Sequence, residues 1–184
     1  MFYVSEIITT APATCKNELQ QLTYAALNKL EIPFERVDTD DAISMEDCIL
    51  IDEKLSMKTV KTLFLCNRQQ TQFYLYITVA DKPFSSKDFS KIMGVSRLSF
   101  APENLLLQKL GVKIGAATIF GVLLDPDHEI KVVIDKAILQ EEWYGCSDGT
   151  TTGYMKVKTT AIVNDFLHYA NHKPVIIEMD LPFL

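Results

Sequence analysis

Histidine, tryptophan and paired cysteine are scarce in this chain. Three His and one Trp among 184 residues leave little material for a centre built on several imidazoles. The four cysteines, Cys15, Cys48, Cys66 and Cys146, stand far apart with no Cys-x-x-Cys pair, which excludes a compact zinc or dithiol motif. An even count permits two disulfides, but a chain with this much apolar material does not need them, so a reduced, cytoplasmic compartment is expected. No segment approaches the roughly 18 to 20 apolar residues of a membrane span, and Met1-Phe-Tyr-Val-Ser-Glu6 lacks the positive region of a secretion signal. Positive charge is in deficit as well: 18 Lys and Arg face 24 Asp and Glu, a net charge of −6. That balance argues against a broad basic surface gripping many phosphates, and leaves room only for a local basic groove. Repeats, low-complexity tracts and linkers are absent.

What is present is core. Hydrophobic residues make up 48% of the chain, enough for one domain spanning 1–184. Leu19, Leu22, Ala26, Leu27 and Leu30 recur at helical spacing within Thr14 to Glu31, with Thr14 as the expected N-cap and Pro33 beyond the end. Ser44-Met-Glu-Asp47 is a capping signal for a second helix over Met45 to Leu55. Shorter helices are expected over Lys87 to Met93, stopped by Gly94, after Pro102 as first residue up to Gly111, and over Thr160 to Asn171. Pro33 to Val37 reads as extended. Val60–Cys66, Gln72–Val79, Ile119–Leu124, Ile130–Ile134, Thr152–Val157 and Val175–Met179 read as strands, with hairpin turns at Asn67–Gln70 and Asp125–Glu129. The expectation is an α+β fold, a mixed, largely antiparallel curved sheet flanked by helices.

Candidate sites are few. Lys91-Ile-Met-Gly-Val-Ser-Arg97 has the form of a helix-turn-helix turn, but Pro102 interrupts the recognition helix that should follow, so DNA is not an expected partner. His168 and His172 are four apart on a helix, yet Tyr169 stands where a metalloprotease has Glu and no third ligand is near. They read as solvent-facing charges at a helix C-terminus, and no metal or cofactor is expected. His128, in a proline turn, reads as exposed. Lys61 opens an otherwise apolar strand, where an ammonium can anchor a phosphate or a developing oxyanion, or merely reach out to water. Gly115-Ala-Ala-Thr-Ile-Phe-Gly121 lets backbone N–H groups approach a ligand, without the Gly-Lys-Ser/Thr ending of a P-loop. Gly145-Cys-Ser-Asp-Gly-Thr-Thr-Thr-Gly153 gathers three of seven glycines. A strand follows it, so it lacks the helix N-terminus of a phosphate loop, and Asp148 beside Cys146 works against a thiolate nucleophile.

Taken in order, several of these segments resemble one family, the aminoacyl-tRNA deacylases of the YbaK and prolyl-tRNA-editing type, related to the editing domain inserted in bacterial prolyl-tRNA synthetases. Glu31-Ile-Pro-Phe-Glu35 is similar to that family's "(G/E)IPYE", Ser44-Met-Glu-Asp47 to "TVEE", and Lys61-Thr-Leu-Phe-Leu65 to "KNLFL". Asp81-Lys82 with Gly94-Val-Ser-Arg-Leu-Ser-Phe-Ala101 resembles "DKR…GVKRLSFA". Leu110 to Gly121 resembles "LGVEPGSVTPFG", and Val132-Val-Ile-Asp135 resembles "VVLDKDL". The likeness runs co-linearly from about Leu19 to Glu178.

The resemblance implies a metal-free esterase that acts in trans on a wrongly aminoacylated tRNA 3′ end, commonly one carrying alanine. It implies that Lys61 is catalytic and that Thr62, Gly115, Ala116, Ala117, Thr118 and Ile119 line the substrate site. The family's "HPxxNTAT" falls on Gly145 to Thr152, which brings in Cys146, Ser147, Asp148 and Gly149 as substrate-binding positions. Three departures stand out: Thr62 replaces an asparagine, Ile119 replaces a proline, and Gly145, Cys146 and Gly149 replace His, Pro and Asn. The expected partners are the aminoacyl-tRNA 3′ end and an aminoacyl-tRNA synthetase, with no membrane. Two rivals remain at this point: a non-catalytic module that grips a tRNA end or a synthetase, and a hydrolase dependent on Cys146. Whether the apolar tail Leu181-Pro-Phe-Leu184 packs at home or on a partner is open.

Overall fold

Helix α1 (Glu18–Lys29) starts later than its apolar spacing suggests, because Asn17 rather than Thr14 caps it. The Asn17 backbone is extended and its side-chain oxygen accepts from the N–H of Gln20 at 2.8 Å, satisfying one of the open donors of the first turn. These relations come from a computed structural model that describes residues 1–42 and 44–180; the tail Leu181–Leu184 lies outside the described residues. Strand β1 (Phe34–Asp38) follows, then α2 (Met45–Leu55), which has the bounds its capping signal predicts. Ser44 Oγ accepts from Asp47 N–H at 3.1 Å and the Asp47 carboxylate accepts from Ser44 N–H at 3.0 Å, a closed capping box.

The strands divide into two sheets. One is antiparallel, in the order β1, β7 (Gly153–Lys158), β6 (Trp143–Ser147). The other is mixed, in the order β4 (Ser99–Phe100), β2 (Lys61–Cys66), β3 (Phe73–Thr78), β5 (Ile130–Asp135), β8 (Val175–Ile177). β2 and β3 form the expected hairpin, whereas β5 runs parallel to both β3 and β8. The sheets meet where Thr59 bridges Gly145 and the N–H of Val60 donates to the Gly145 carbonyl at 2.8 Å. Helices α1 and α2 pack on this frame, α3 (Ser86–Met93) ends at Gly94 in the left-handed region, and α4 (Glu103–Leu105), with Pro102 as its N-cap, widens into a π-turn that Gly111 stops. The last helical segment is a π-turn over Ala161–Phe166 continued by α5 (Leu167–Tyr169).

Besides the cap of α1, three sequence expectations give way. Ile119–Leu124 is a 3₁₀ turn, not a strand; an apolar run of six residues has no periodicity to separate the two, and this one buries Ile119, Phe120 and Val122 against the core beside α1. The segment Asp125–Glu129 is consequently no hairpin. It closes on the Asp125 carboxylate, which accepts from the N–H groups of Glu129 and Ile130, both at 2.9 Å, and feeds the parallel strand β5. His172 is buried rather than solvent-facing: Nε2 meets Asp125 Oδ2 at 2.8 Å and Nδ1 meets the Ala170 carbonyl at 2.7 Å. Both ring nitrogens are thereby taken up within the protein, while His168 and His128 are exposed. Strand β6 has no counterpart among the strands the sequence suggests.

At the end of β5, Asp135 is fully buried and gathers Lys82 Nζ at 2.7 Å, Thr78 Oγ1 at 2.9 Å, Tyr76 OH at 3.0 Å and Ala137 N–H at 3.0 Å. Burial alone pushes this carboxyl's pKa up. The Lys82 ammonium and the surrounding donors outweigh it and hold the group below its ordinary value. A depressed carboxylate stabilises the fold above the unfolded-state pKa, about 3.9, and that contribution is lost as pH falls through the folded value. Asp135→Asn should therefore lower stability in urea by about 2–4 kcal/mol at pH 7, and the loss should shrink toward pH 2.

Candidate functional site

A cavity of about 520 Å³ opens at the seam between the two sheets, within the size range of small-molecule sites. Lys61 and Thr62 reach it from β2, Gly115 and Ala117 from the loop before the 3₁₀ turn, and Cys146 and Ser147 from β6. These six positions come from three separate stretches of sequence. Helix α2 contributes Met45, Cys48, Ile49 and Asp52 to the lining. A second hollow of about 430 Å³ adjoins it and shares Asp52, Thr59, Val60 and Ala80 with it.

Lys61 is half-buried, and its ammonium donates to the main-chain carbonyl of Lys82 at 2.6 Å. Lys82 is in turn tied through its side chain to Asp135. The charge at the cavity thus rests on a backbone atom whose own residue is pinned to the core. One hydrogen bond leaves the ammonium two further donors for a ligand. Among the described residues, Lys61 is the one base lining the cavity and Asp52 the one acid.

The loop Gly115–Ile119 is split by burial. Gly115 is exposed, with φ at +89° and open space where a side chain would stand, and Ala117 is half-buried at the cavity wall. The N–H of Ala116 is spent on the Lys113 carbonyl at 3.1 Å. Ala116, Thr118 and Ile119 are buried and do not line the cavity. The replacement of proline by Ile119 therefore changes a core contact, not the wall of this cavity.

The glycine-rich stretch forms the end of β6, a tight turn and the start of β7. Asp148 organises the turn. Only 1% exposed, its carboxylate accepts from Tyr24 OH at 2.7 Å, Gln20 Nε2 at 2.9 Å and Thr150 Oγ1 at 2.7 Å, pinning α1 to the turn. A Cβ at Gly153 would stand 2.2 Å from that carboxylate, so glycine there makes room for it. Gly149 turns the chain at φ +97° against Leu19 and borders, with Ala116, a separate surface hollow. Gly145 does not leave space either: a Cβ on it would meet Met57 Sδ at 2.7 Å and the Lys58 carbonyl oxygen at 2.8 Å. Asp148 and Gly149 are thus kept away from the cavity that Cys146 and Ser147 border.

Cys146 is 2% exposed. Burial raises its pKa well above the usual thiol value, with a smaller upward push from Asp148; the Thr118 hydroxyl beside it pulls the other way without making a hydrogen bond of ordinary geometry. A neutral thiol with no base at hand is a poor nucleophile. Asp52 and Cys48 are among the cavity residues that escaped the sequence reading. Asp52 accepts both Thr59 N–H, at 3.1 Å to each oxygen, and Thr59 Oγ1 at 2.5 Å. Cys48 sits one helical turn before it, its pKa raised by burial and by Asp52 and Asp47. The capping signal located α2, but nothing in the sequence said which of its faces meets the cavity.

A family model described as "Aminoacyl-tRNA editing domain" matches residues 50–164, a span that includes Lys61, the Gly115 loop and Cys146. The prolyl-tRNA editing protein ProX of Acetoanaerobium sticklandii is 32% identical over 122 residues, covering 66% of this chain and 74% of its own. Prolyl-tRNA synthetase associated domain-containing protein 1 of Danio rerio is 27% identical over 172 residues, covering 92% and 90%. Among solved structures, a candidate trans-editing enzyme for prolyl tRNA synthetase superposes with a TM-score of 0.63 at 12% identity, covering 90% of this chain and all of that one. That last likeness concerns the fold.

Gly145→Ala tests the close crossing at the seam. The added methyl should cost about 1–3 kcal/mol in chemical denaturation, as expected for overpacking against backbone, and should do so even with Met57 shortened to Ala, because the Lys58 carbonyl cannot move aside.

Proposed function

The chain belongs to the aminoacyl-tRNA editing family, and on that premise we propose that it hydrolyses, in trans, the ester joining a wrong amino acid to a tRNA 3′ end. The observation that carries this reading is that Lys61, Thr62, Gly115, Ala117, Cys146 and Ser147 all border one cavity. The names of its relatives point to tRNA(Pro) as the carrier and to prolyl-tRNA synthetase as the source of the mistake. Met45, Ile49 and Ala117 give the cavity an apolar share suited to a small aliphatic side chain such as that of alanine.

In this reading water adds to the ester carbonyl, the carbonyl oxygen takes up the negative charge, and the bond from carbonyl carbon to ribose oxygen breaks. The proton released by water goes to the ribose oxygen, leaving a free amino acid and an uncharged tRNA. An aminoacyl ester is an activated acyl group, so positioning and charge stabilisation supply most of what is needed. Lys61, oriented by the Lys82 carbonyl, faces the developing oxyanion or the terminal phosphate. The N–H groups of Gly115 and Ala117, which make no hydrogen bond among the described residues, are available to the carbonyl oxygen. The thiol of Cys146 serves as wall, which removes the support for a cysteine hydrolase. The reaction is placed in the cytoplasm, where the charged tRNA is.

Deacylation of a panel of mischarged tRNAs tests the reading. Lys61→Ala should lower kcat/KM on alanyl-tRNA(Pro) by about 100-fold or more, the scale of a lost oxyanion donor, while Cys146→Ala should stay within about 3-fold of the parent, as expected where no transition-state contact is removed. Binding without turnover on any member of the panel would replace the enzyme by a tRNA-binding module.

A further inference from the structure

An aminoacyl ester carries, next to the carbonyl under attack, a free α-ammonium group. The cavity presents one group of opposite charge to it. Asp52, on α2, shares the cavity lining with Lys61 of β2 and is the one acidic residue among the described residues that border the space. Among the described residues its carboxylate forms no ion pair, and the hydrogen bonds it accepts come from Thr59 alone. A carboxylate has about four acceptor positions. Thr59 supplies one N–H shared between the two oxygens and one hydroxyl on Oδ1, so Oδ2 keeps acceptor capacity. Thr59 also fixes where the carboxylate stands, since the next residue, Val60, is bound to Gly145 at the seam.

We propose that Asp52 is the subsite for the substrate's α-ammonium group, so that the protein selects aminoacyl esters with a free amine over N-blocked or hydroxy-acyl ones. Lys61 and Asp52 then form a matched pair of charges: the ammonium of the protein meets the oxyanion or phosphate, and the carboxylate of the protein meets the ammonium of the substrate. Burial pushes the Asp52 pKa upward and the Thr59 donors only partly offset this, the state of a carboxylate short of a positive partner. The discrimination excludes acyl chains whose nitrogen is already in an amide, as in a growing peptide.

The inference rests on the editing reading for the identity of the ligand, and binding separates the two. The probes are alanyl-adenosine linked through a non-hydrolysable 3′ amide, its N-acetyl derivative and the lactyl analogue, in which a hydroxyl replaces the ammonium. The intact protein should bind the alanyl form at least about 30-fold more tightly than either other, the scale of a hydrogen-bonded charge pair. Asp52→Asn should bring all three within about 3-fold of one another. A purely structural part for Asp52 would weaken all three equally and leave their ratios in place. Should the asparagine variant not fold, Asp52→Ser carries the same comparison. Equal affinities in the parent protein, or ratios untouched by the substitution, overturn the proposal. Failure of ester hydrolysis with the ratios intact counts against the editing reading instead.

Discussion

The crossing of the chain at Gly145 is the constraint on which the rest of the site depends. There the backbone of Lys58 and Thr59 runs so close to β6 that no side chain fits between them, and the Val60 N–H closes the contact on the Gly145 carbonyl. That contact fixes two neighbourhoods together. One residue beyond Val60 stands Lys61; one residue beyond Gly145 stands Cys146. Two sheets that share no regular ladder are joined at this point, and the cavity is the space left beside the joint.

Around the joint, each charged group near the site is held by something it cannot easily leave. Asp148 locks the β6–β7 turn to α1 through Tyr24 and Gln20. Asp135 holds Lys82, and Lys82 offers its carbonyl to Lys61. Asp52 clasps Thr59 and so reaches the joint from the other side. These carboxylates belong to different elements, yet all three act on chain segments that border the cavity or carry it. Preorganisation of this kind lets a site rely on placement instead of a strong nucleophile.

How much of this was legible beforehand follows the range of the forces involved. Local signals read well: the Ser44 capping box gave α2 its bounds, Gly94 ended α3, and the Asn67–Gln70 turn gave the β2–β3 hairpin. The co-linear motifs also brought Lys61, the Gly115 loop and Cys146 into one hypothesis before any geometry was known. Signals without periodicity read poorly, as with Ile119–Leu124, whose 3₁₀ turn is set by packing beside α1. Long-range pairings were not readable at all. The burial of His172 depends on Asp125, 47 residues away in sequence, and Gly145 and Gly153 are each the footprint of something pressed against it from a distant or folded-back segment. Asp52 was invisible for the same reason, since its meaning lies in the wall it faces.

The anchor of Lys61 is a main-chain carbonyl, and every residue type has one. Sequence drift at position 82 can therefore erase the tie to Asp135 without deleting the acceptor that Lys61 uses; what changes is how firmly that acceptor is held in place. On the proposed role of Lys61, loss of activity would then be graded, a slackening of one oxygen's position, where a side-chain anchor would fail all at once.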